Sequence, residues 1–582
     1  MIKKLLKSVR GYKVPSILTP ILMVGEAAME IVIPFFMQFL IAEIRDISIG
    51  NQADIGQIVL WGGLMLAAAV FALLCGIFGA KLSAKASSGF AHNLREDMYN
   101  NLQSFSFANI DNYSTASLIT RITTDVTIVQ NAYQMSIRML VRAPVLFISA
   151  TIMSCILEPI MGMTFVIAAI ILGAIVAFCM IKVTPYFRMM FKKYDALNAV
   201  VQEDLTAIRV VKSYVREDYQ MEKMKNATQE VYNYSIKAEK IFTILMPAVQ
   251  FVMYATIIIL LLMGSDMAIS GWGNVDMSNM QALITYAMQV LSGVMMVAMC
   301  LNFIAMSKGS AERIVQVLEE TTTLPKAKEQ IAEVKDGSID FDGVDFCYSQ
   351  KADVAVLKQI NLHIASGETI GIIGATGSGK SSLVSLIPRL YDATKGTVKV
   401  GGVDVRKYNL DALRNNVAMV LQKNVLFSGT ISENLRWGDE NATDEEVREA
   451  AIQACADEFI QNLPGKYDYD LGQGGVNVSG GQKQRLCIAR AMLKHPKVII
   501  FDDSTSAVDT KTDAIIRENL RKYAPETTKI IIAQRINSIQ DADRIIVLDE
   551  GRIDGIGTHE ELLATNEIYR EVYESQVKGG EE

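Results

Sequence analysis

Hydrophobic residues crowd into six long runs in the first half of the chain, near Ile17–Ala42, Gln57–Leu82, Arg138–Leu157, Gly162–Val183, Ile241–Met263 and Gln281–Met306. A helix needs about 20 apolar residues to cross a bilayer, so the runs predict six membrane spans. The segments between them differ in character. Ser83–Thr127 and Thr184–Lys240 are long, polar and helix-patterned, and the second carries Arg188, Lys192, Lys193, Arg209, Lys212, Arg216, Lys223, Lys225 and Lys237. Glu43–Gly56 has one Arg, while Glu158–Met161 and Gly264–Asn279 have no Lys or Arg. Basic loops stay in the cytosol, which predicts a multi-pass protein of the cell membrane with both termini cytosolic. Charged helical segments of this length also predict transmembrane helices that extend well beyond the bilayer.

The pattern changes after Met306. Ser307–Gly337 is charged and linker-like, and from Ser338 short β-type runs alternate with helical ones, as in a soluble α/β domain. The expected division is a membrane domain over 1–306, a linker over 307–337, an α/β domain over 338–578 and a polar tail over 579–582.

Two motifs in the α/β part carry phosphate chemistry. Residues 374–381 read GATGSGKS, between a strand-like run, Thr369–Ile373, and a helix-like run, Ser382–Leu390. This is the P-loop pattern, in which backbone N–H groups converge on phosphates at a helix N-terminus. Lys380 would meet the β- and γ-phosphates of ATP, and the Ser381 hydroxyl would bind Mg²⁺. The run Val498–Asp503, VIIFDD, is a buried strand ending in carboxylates. Asp502 would hold the metal, and Asp503 follows where water must attack.

Composition narrows the partners. The formal net charge of −7 argues against nucleic acid. The seven cysteines are scattered with no C-x-x-C pair, which predicts reduced thiols and neither zinc nor a disulfide framework. The basic start, MIKKLLKSVRGYK, has no small-residue cleavage site before the first apolar run and reads as an interfacial helix.

The segment Asn477–Arg485, NVSGGQKQR, resembles the signature of ABC ATPases, and the order of membrane domain then ATPase resembles the exporter arrangement. The resemblance covers the whole chain. It implies a six-helix all-α membrane domain followed by an α/β P-loop ABC ATPase domain, working as a dimer with a second half-transporter. It also implies a nucleotide site at Gly374, Thr376, Gly377, Ser378, Gly379 and Ser382, besides Lys380 and Ser381. Tyr348 resembles the aromatic that stacks on adenine. Gln422 resembles the Q-loop glutamine, beside the γ-phosphate and Mg²⁺. Ser506–Asp509 resembles the D-loop. Ser479, Gly480, Gly481 and Gln482 would complete the site of the partner chain. Segments around Phe107–Arg121 and Gln202–Lys212 occupy the positions of two coupling helices.

Two departures from the family pattern fall at the catalytic positions. A Glu usually follows the Walker B Asp, but here the residue is Asp503. Its carboxylate falls back by roughly 1.5 Å, and a 1 Å misplacement can cost about a hundredfold in rate. The switch histidine is replaced by Gln534, which donates a hydrogen bond but carries no charge. Gln473 also stands where Glu is usual. These changes imply the degenerate-site subunit of a bacterial heterodimeric multidrug exporter, taking hydrophobic or amphipathic cargo. The competing expectations are a homodimeric lipid or peptide exporter with slow ATPase, and an ATP-binding regulatory or channel subunit. Of the 29 methionines, Met288, Met295, Met299 and Met306 share one face of the sixth span with Ser292 and Asn302. That face suits varied ligands, or else helix–helix packing or lipid contact. Glu26 and Glu30 share a face of the first span, where they would attract cationic cargo, lie near water, or pair with Arg138 or Arg142.

Overall fold

The computed structural model describes residues 1–48, 55–270, 277–325, 327, 329–348, 355–503 and 508–578. Contacts divide the chain into two units: Met1–Gln103 with Thr115–Glu320, and Ser104–Ser114 with Thr321–Glu582.

Among the described residues of the first unit, six helices are long and apolar enough to cross a membrane. They cover the six predicted runs and continue past them. The fourth helix, Pro159–Ser213, has 55 residues. At 1.5 Å per residue it is about 80 Å long, against about 30 Å of bilayer hydrocarbon. The sixth helix runs from Met277 to Glu319, through the stretch predicted as linker. Hydropathy falls at Ser307, but Ala311, Ile314, Val315 and Val317 keep a buried stripe at helical spacing, so the helix persists. Gln202–Lys212 forms the last turns of the fourth helix instead of a separate one, and the chain turns at Tyr214–Arg216 before the fifth helix, Glu217–Ser270. The Phe107–Arg121 segment breaks into Phe107–Asp111, closed by a Ser106/Asn109 capping box, and Thr115–Thr120. The first of these belongs to the second unit.

Small residues let the first two spans approach closely: a Cβ on Gly79 would lie 2.3 Å from Met23 Cε. The acidic pair of the first span finds Arg142 of the third, with Arg142 Nη2 2.5 Å from Glu30 Oε1 and Arg142 Nε 3.5 Å from Glu26 Oε1. The methionine face of the sixth span divides: Met288, Ser292, Met299 and Met306 are exposed, while Met295 is partly buried against a core cluster that includes Val176 and Leu245. The side chain of Asn302 lies outside the described residues.

The second unit holds two sheets. Strands β1 (Ile339–Phe346), β2 (Leu357–Ile364), β4 (Lys395–Val400) and β5 (Val403–Asp404) form an antiparallel sheet in the order β2-β1-β4-β5. Strands β3 (Thr369–Gly374), β6 (Val417–Val420), β7 (Val498–Asp502), β8 (Thr528–Ile532), β9 (Arg544–Asp549) and β10 (Arg552–Gly557) form the second, in the order β10-β9-β3-β8-β7-β6. Only β10 runs antiparallel in it. Every residue of β7 and β8 is buried, as expected of parallel strands covered on both faces. Alternate residues serve two cores: Ile499 and Phe501 join one, Val498 and Ile500 the other.

Below the spans, Asp125 is 1 % exposed and takes two hydrogen bonds from Arg313, at 2.7 and 2.5 Å. It ends a π-helical turn, Arg121–Asp125, that interrupts the way into the third span. Arg313→Ala strands a buried carboxylate and should destabilise the membrane unit by about 3 kcal/mol or more. Asp125→Ala should cost clearly less, because the half-exposed Arg313 can turn to water. Thermal unfolding of both variants in detergent checks the order.

Candidate nucleotide site at the strand ends

Sheet register assembles this site. Strand β8 lies between β3 and β7, and Ile532 pairs with both Ile372 and Asp502. The segments that leave the C-terminal ends of these strands therefore emerge side by side, where α/β sheets bind ligands. They are the glycine-rich loop after β3, Asp503 after β7 and Gln534 after β8.

The loop turns through positive φ at Gly377 (86°) and Gly379 (98°), and Lys380 opens the helix Lys380–Ser385. A Cβ on Gly374 would sit 2.1 Å from the Leu548 carbonyl oxygen of β9. Lys380 Nζ donates to the carbonyls of Gly374 and Ala375, each at 2.8 Å. Burial lowers its pKa, against the attraction of Asp503 and Asp502. Ser378 Oγ is buried without a hydrogen-bond partner among the described residues. Ser381 Oγ donates to Asp502 Oδ1 at 2.8 Å. Burial pushes Asp502 above the usual carboxylate range and Asp503 adds to this, while the Ser381 hydrogen bond and Lys380 oppose it.

Asp503 has φ 48°, the left-handed region that Asp tolerates better than most residues. Its Oδ2 accepts from Gln534 Nε2 at 2.6 Å and from Gln422 Nε2 at 3.3 Å. Three residues far apart in sequence thus meet on one carboxylate. The Gln422 amide donates to Asp503, the neighbour of the Asp502 with which the sequence groups it as a metal ligand.

Tyr348 is half-exposed, and its hydroxyl shares a 2.9 Å hydrogen bond with Ser382 Oγ. Its ring meets Phe346 and Tyr391 edge-on, at 4.8 and 5.1 Å between centroids. Tyr391 also donates to Asp111 Oδ2 at 2.6 Å, tying the helix Phe107–Asp111 to the aromatic group. Sequence reading misses Tyr391, because no local period marks a residue whose partners lie in two distant segments.

Ser479 of the signature and Asp509 of the D-loop make local caps. Ser479 caps the helix Gly480–Leu493: its hydroxyl accepts from Gln482 N, and Gln482 Oε1 accepts from Ser479 N at 2.9 Å. Around Gly480 there is open space for a Cβ. Asp509 caps Thr510–Tyr523 through Thr512 N at 2.9 Å. Ser506 and Ala507 of the predicted D-loop, and the Gly579–Glu582 tail, lie outside the described residues.

A P-loop and a carboxylate-ended strand at the C-terminal strand ends of a mostly parallel sheet define a P-loop ATPase, here in a chain that also carries a six-helix membrane unit. Residues 17–295 match the family model for the ABC transporter transmembrane region, and residues 357–506 match that for the ABC transporter. The chain is 34% identical over 574 residues, 99% of its length and 98% of its relative's, to an uncharacterized ABC transporter ATP-binding protein, YfiB, of Bacillus subtilis (strain 168). It is 30% identical over 598 residues, covering 99% and 100%, to a Staphylococcus aureus (strain NCTC 8325 / PS 47) protein provisionally named a multidrug export ATP-binding/permease protein. A solved structure of a bacterial Atm1-family ABC exporter with ATP bound shares the fold, with TM-score 0.82 at 23% identity over 96% of this chain and 98% of that one. The chain belongs to the ABC transporter family, as a half-transporter with an N-terminal transmembrane domain and a C-terminal ATP-binding ATPase domain. Exporters built this way work as dimers in the membrane.

Gly374→Ala overpacks the loop against β9 by an amount worth about 1–3 kcal/mol. ATP affinity should fall by about tenfold or more, measured with a fluorescent ATP analogue.

Proposed function

We propose that this chain is the degenerate-ATP-site half of a heterodimeric exporter that moves hydrophobic or amphipathic compounds across the cell membrane. One observation carries the reading: the Asp503 carboxylate is held by two neutral amides, Gln534 and Gln422, in place of a longer carboxylate beside an ionisable switch residue. Both amides donate to Asp503, so its free lone pairs for orienting water are fewer. Gln534 brings no positive charge towards the phosphate. Nucleotide-binding groups are retained, which separates this site from a generally decayed one.

The residues fit Mg-ATP. Ser381 Oγ and Asp502 form an oxygen pair suited to a hard cation, Ser378 Oγ has no hydrogen-bond partner among the described residues, and the Gly374–Leu548 approach leaves the loop backbone bare. In this reading Lys380 and the loop amides bind the phosphates, and Tyr348 stacks on adenine. Mg²⁺, held by Ser381 and Asp502 with Gln422 near, would neutralise charge at the β- and γ-phosphates. Ser479–Gln482 would face the nucleotide of the partner, whose site has the catalytic groups missing here. The Lys/Arg asymmetry of the loops supports cytosolic termini. The exposed methionines of the sixth span and the provisional multidrug name of the S. aureus relative support broad cargo.

The two ends of the ATPase unit should then respond differently. Asp503→Asn removes a carboxylate that already positions water poorly, and should lower the heterodimer ATPase rate only modestly. Ser479→Arg pushes a bulky cation towards the γ-phosphate bound by the partner, and should nearly abolish hydrolysis. A steady-state ATPase assay decides: equal damage from both would make Asp503 a working catalytic residue and favour a homodimer.

A further inference from the structure

The C-terminal helix, Glu567–Lys578, ends beside the Gln534 loop. Tyr569 is fully buried in the core of the ATPase unit, and Val572 and Tyr573 pack against the same core. His559 Nδ1 lies 2.7 Å from the Tyr569 hydroxyl. Gln576 continues this face at the i, i+3, i+4, i+7 spacing. Its side chain is exposed, yet both ends of its amide are engaged. Gln576 Nε2 donates to the Gln534 carbonyl at 2.7 Å, and Gln576 Oε1 accepts from Ile536 N at 2.9 Å. The two bonds clamp the backbone on either side of Arg535. A cavity of about 510 Å³ between this helix and the strand ends has Asp503, Gln534 and Gln576 in its wall.

We infer that Gln576 is a positioning residue of the nucleotide site: it fixes the Gln534 loop from the C-terminal helix, and so sets the Gln534–Asp503 hydrogen bond. The geometry suits that role and little else. An exposed amide adds almost nothing to the core, whereas two bonds to one three-residue loop restrict the backbone that carries the Gln534 side chain. The core anchors the helix upstream, so Gln576 holds the loop against a fixed reference. The inference rests on the reading of Gln534 as the residue facing the γ-phosphate.

The test compares Mg-ATPγS with Mg-ADP, which lacks that phosphate, on the full-length chain in lipid nanodiscs. Gln576→Ala, and Gln576→Met, which keeps the length but not the amide, should weaken Mg-ATPγS binding by about three- to tenfold, as loss of one or two hydrogen bonds allows. Mg-ADP binding should change by less than about twofold. Hydrogen exchange at the Ile536 amide should quicken in both variants. An equal loss of affinity for both nucleotides would mean a merely structural role, and unchanged affinities would mean no role; either overturns the inference. Gln534→Ala, run in parallel, separates the two levels. If it weakens Mg-ATPγS selectively while the Gln576 variants do not, the clamp is wrong. If it too is silent, the γ-phosphate reading fails and the inference falls with it.

Discussion

A buried strand that must end in two carboxylates sets the terms for the ATPase unit. Strand β7 is buried along its whole length, and its alternate residues lock into two separate cores. A one-residue slip would exchange every side chain between the faces, so the register is fixed by packing. That register delivers Asp502 to the sheet edge level with Ile532 of β8, next to the P-loop. Burying a carboxylate there is unfavourable, and the Ser381 hydroxyl and Lys380 offset part of the cost. The core thus holds the Ser381–Asp502 pair in place.

One residue beyond that fixed point, the backbone changes conformation. Asp503 turns into the left-handed region and is tied to Gln534 and Gln422. Two amides can order a short carboxylate, but they supply neither reach nor charge. The network is well satisfied, which is the condition for a stable polar cluster. In the function proposed above, this network holds a nucleotide and does not move a proton. Two hydrogen bonds from Gln576 of the C-terminal helix hold the backbone of the Gln534 loop.

Much of this was legible in sequence where the signal is local. Six apolar runs must become membrane helices, because a lipid environment leaves the backbone no other partner. GATGSGKS and VIIFDD lie at strand ends, and the strand-loop-helix context around them is what the structure holds. Less was legible where the signal is tertiary. The helix through Ser307–Glu319 was hidden because its buried stripe is interrupted by charged residues. The choice between Arg138 and Arg142 for Glu30 depends on which turn of the third span faces the first. Tyr391 and Gln576 act across long separations, the latter 42 residues from the loop it binds, and neither sits in a recognisable pattern.

The central claim is that this site holds ATP without positioning water well. Single-turnover hydrolysis of Mg-ATP by the purified chain, free of any partner, measures it directly. The expected result is tight binding with slow turnover, together with a gain of about tenfold or more when Asp503→Glu and Gln534→His are combined. Rapid turnover by the unchanged chain, with no gain in the double variant, would contradict it.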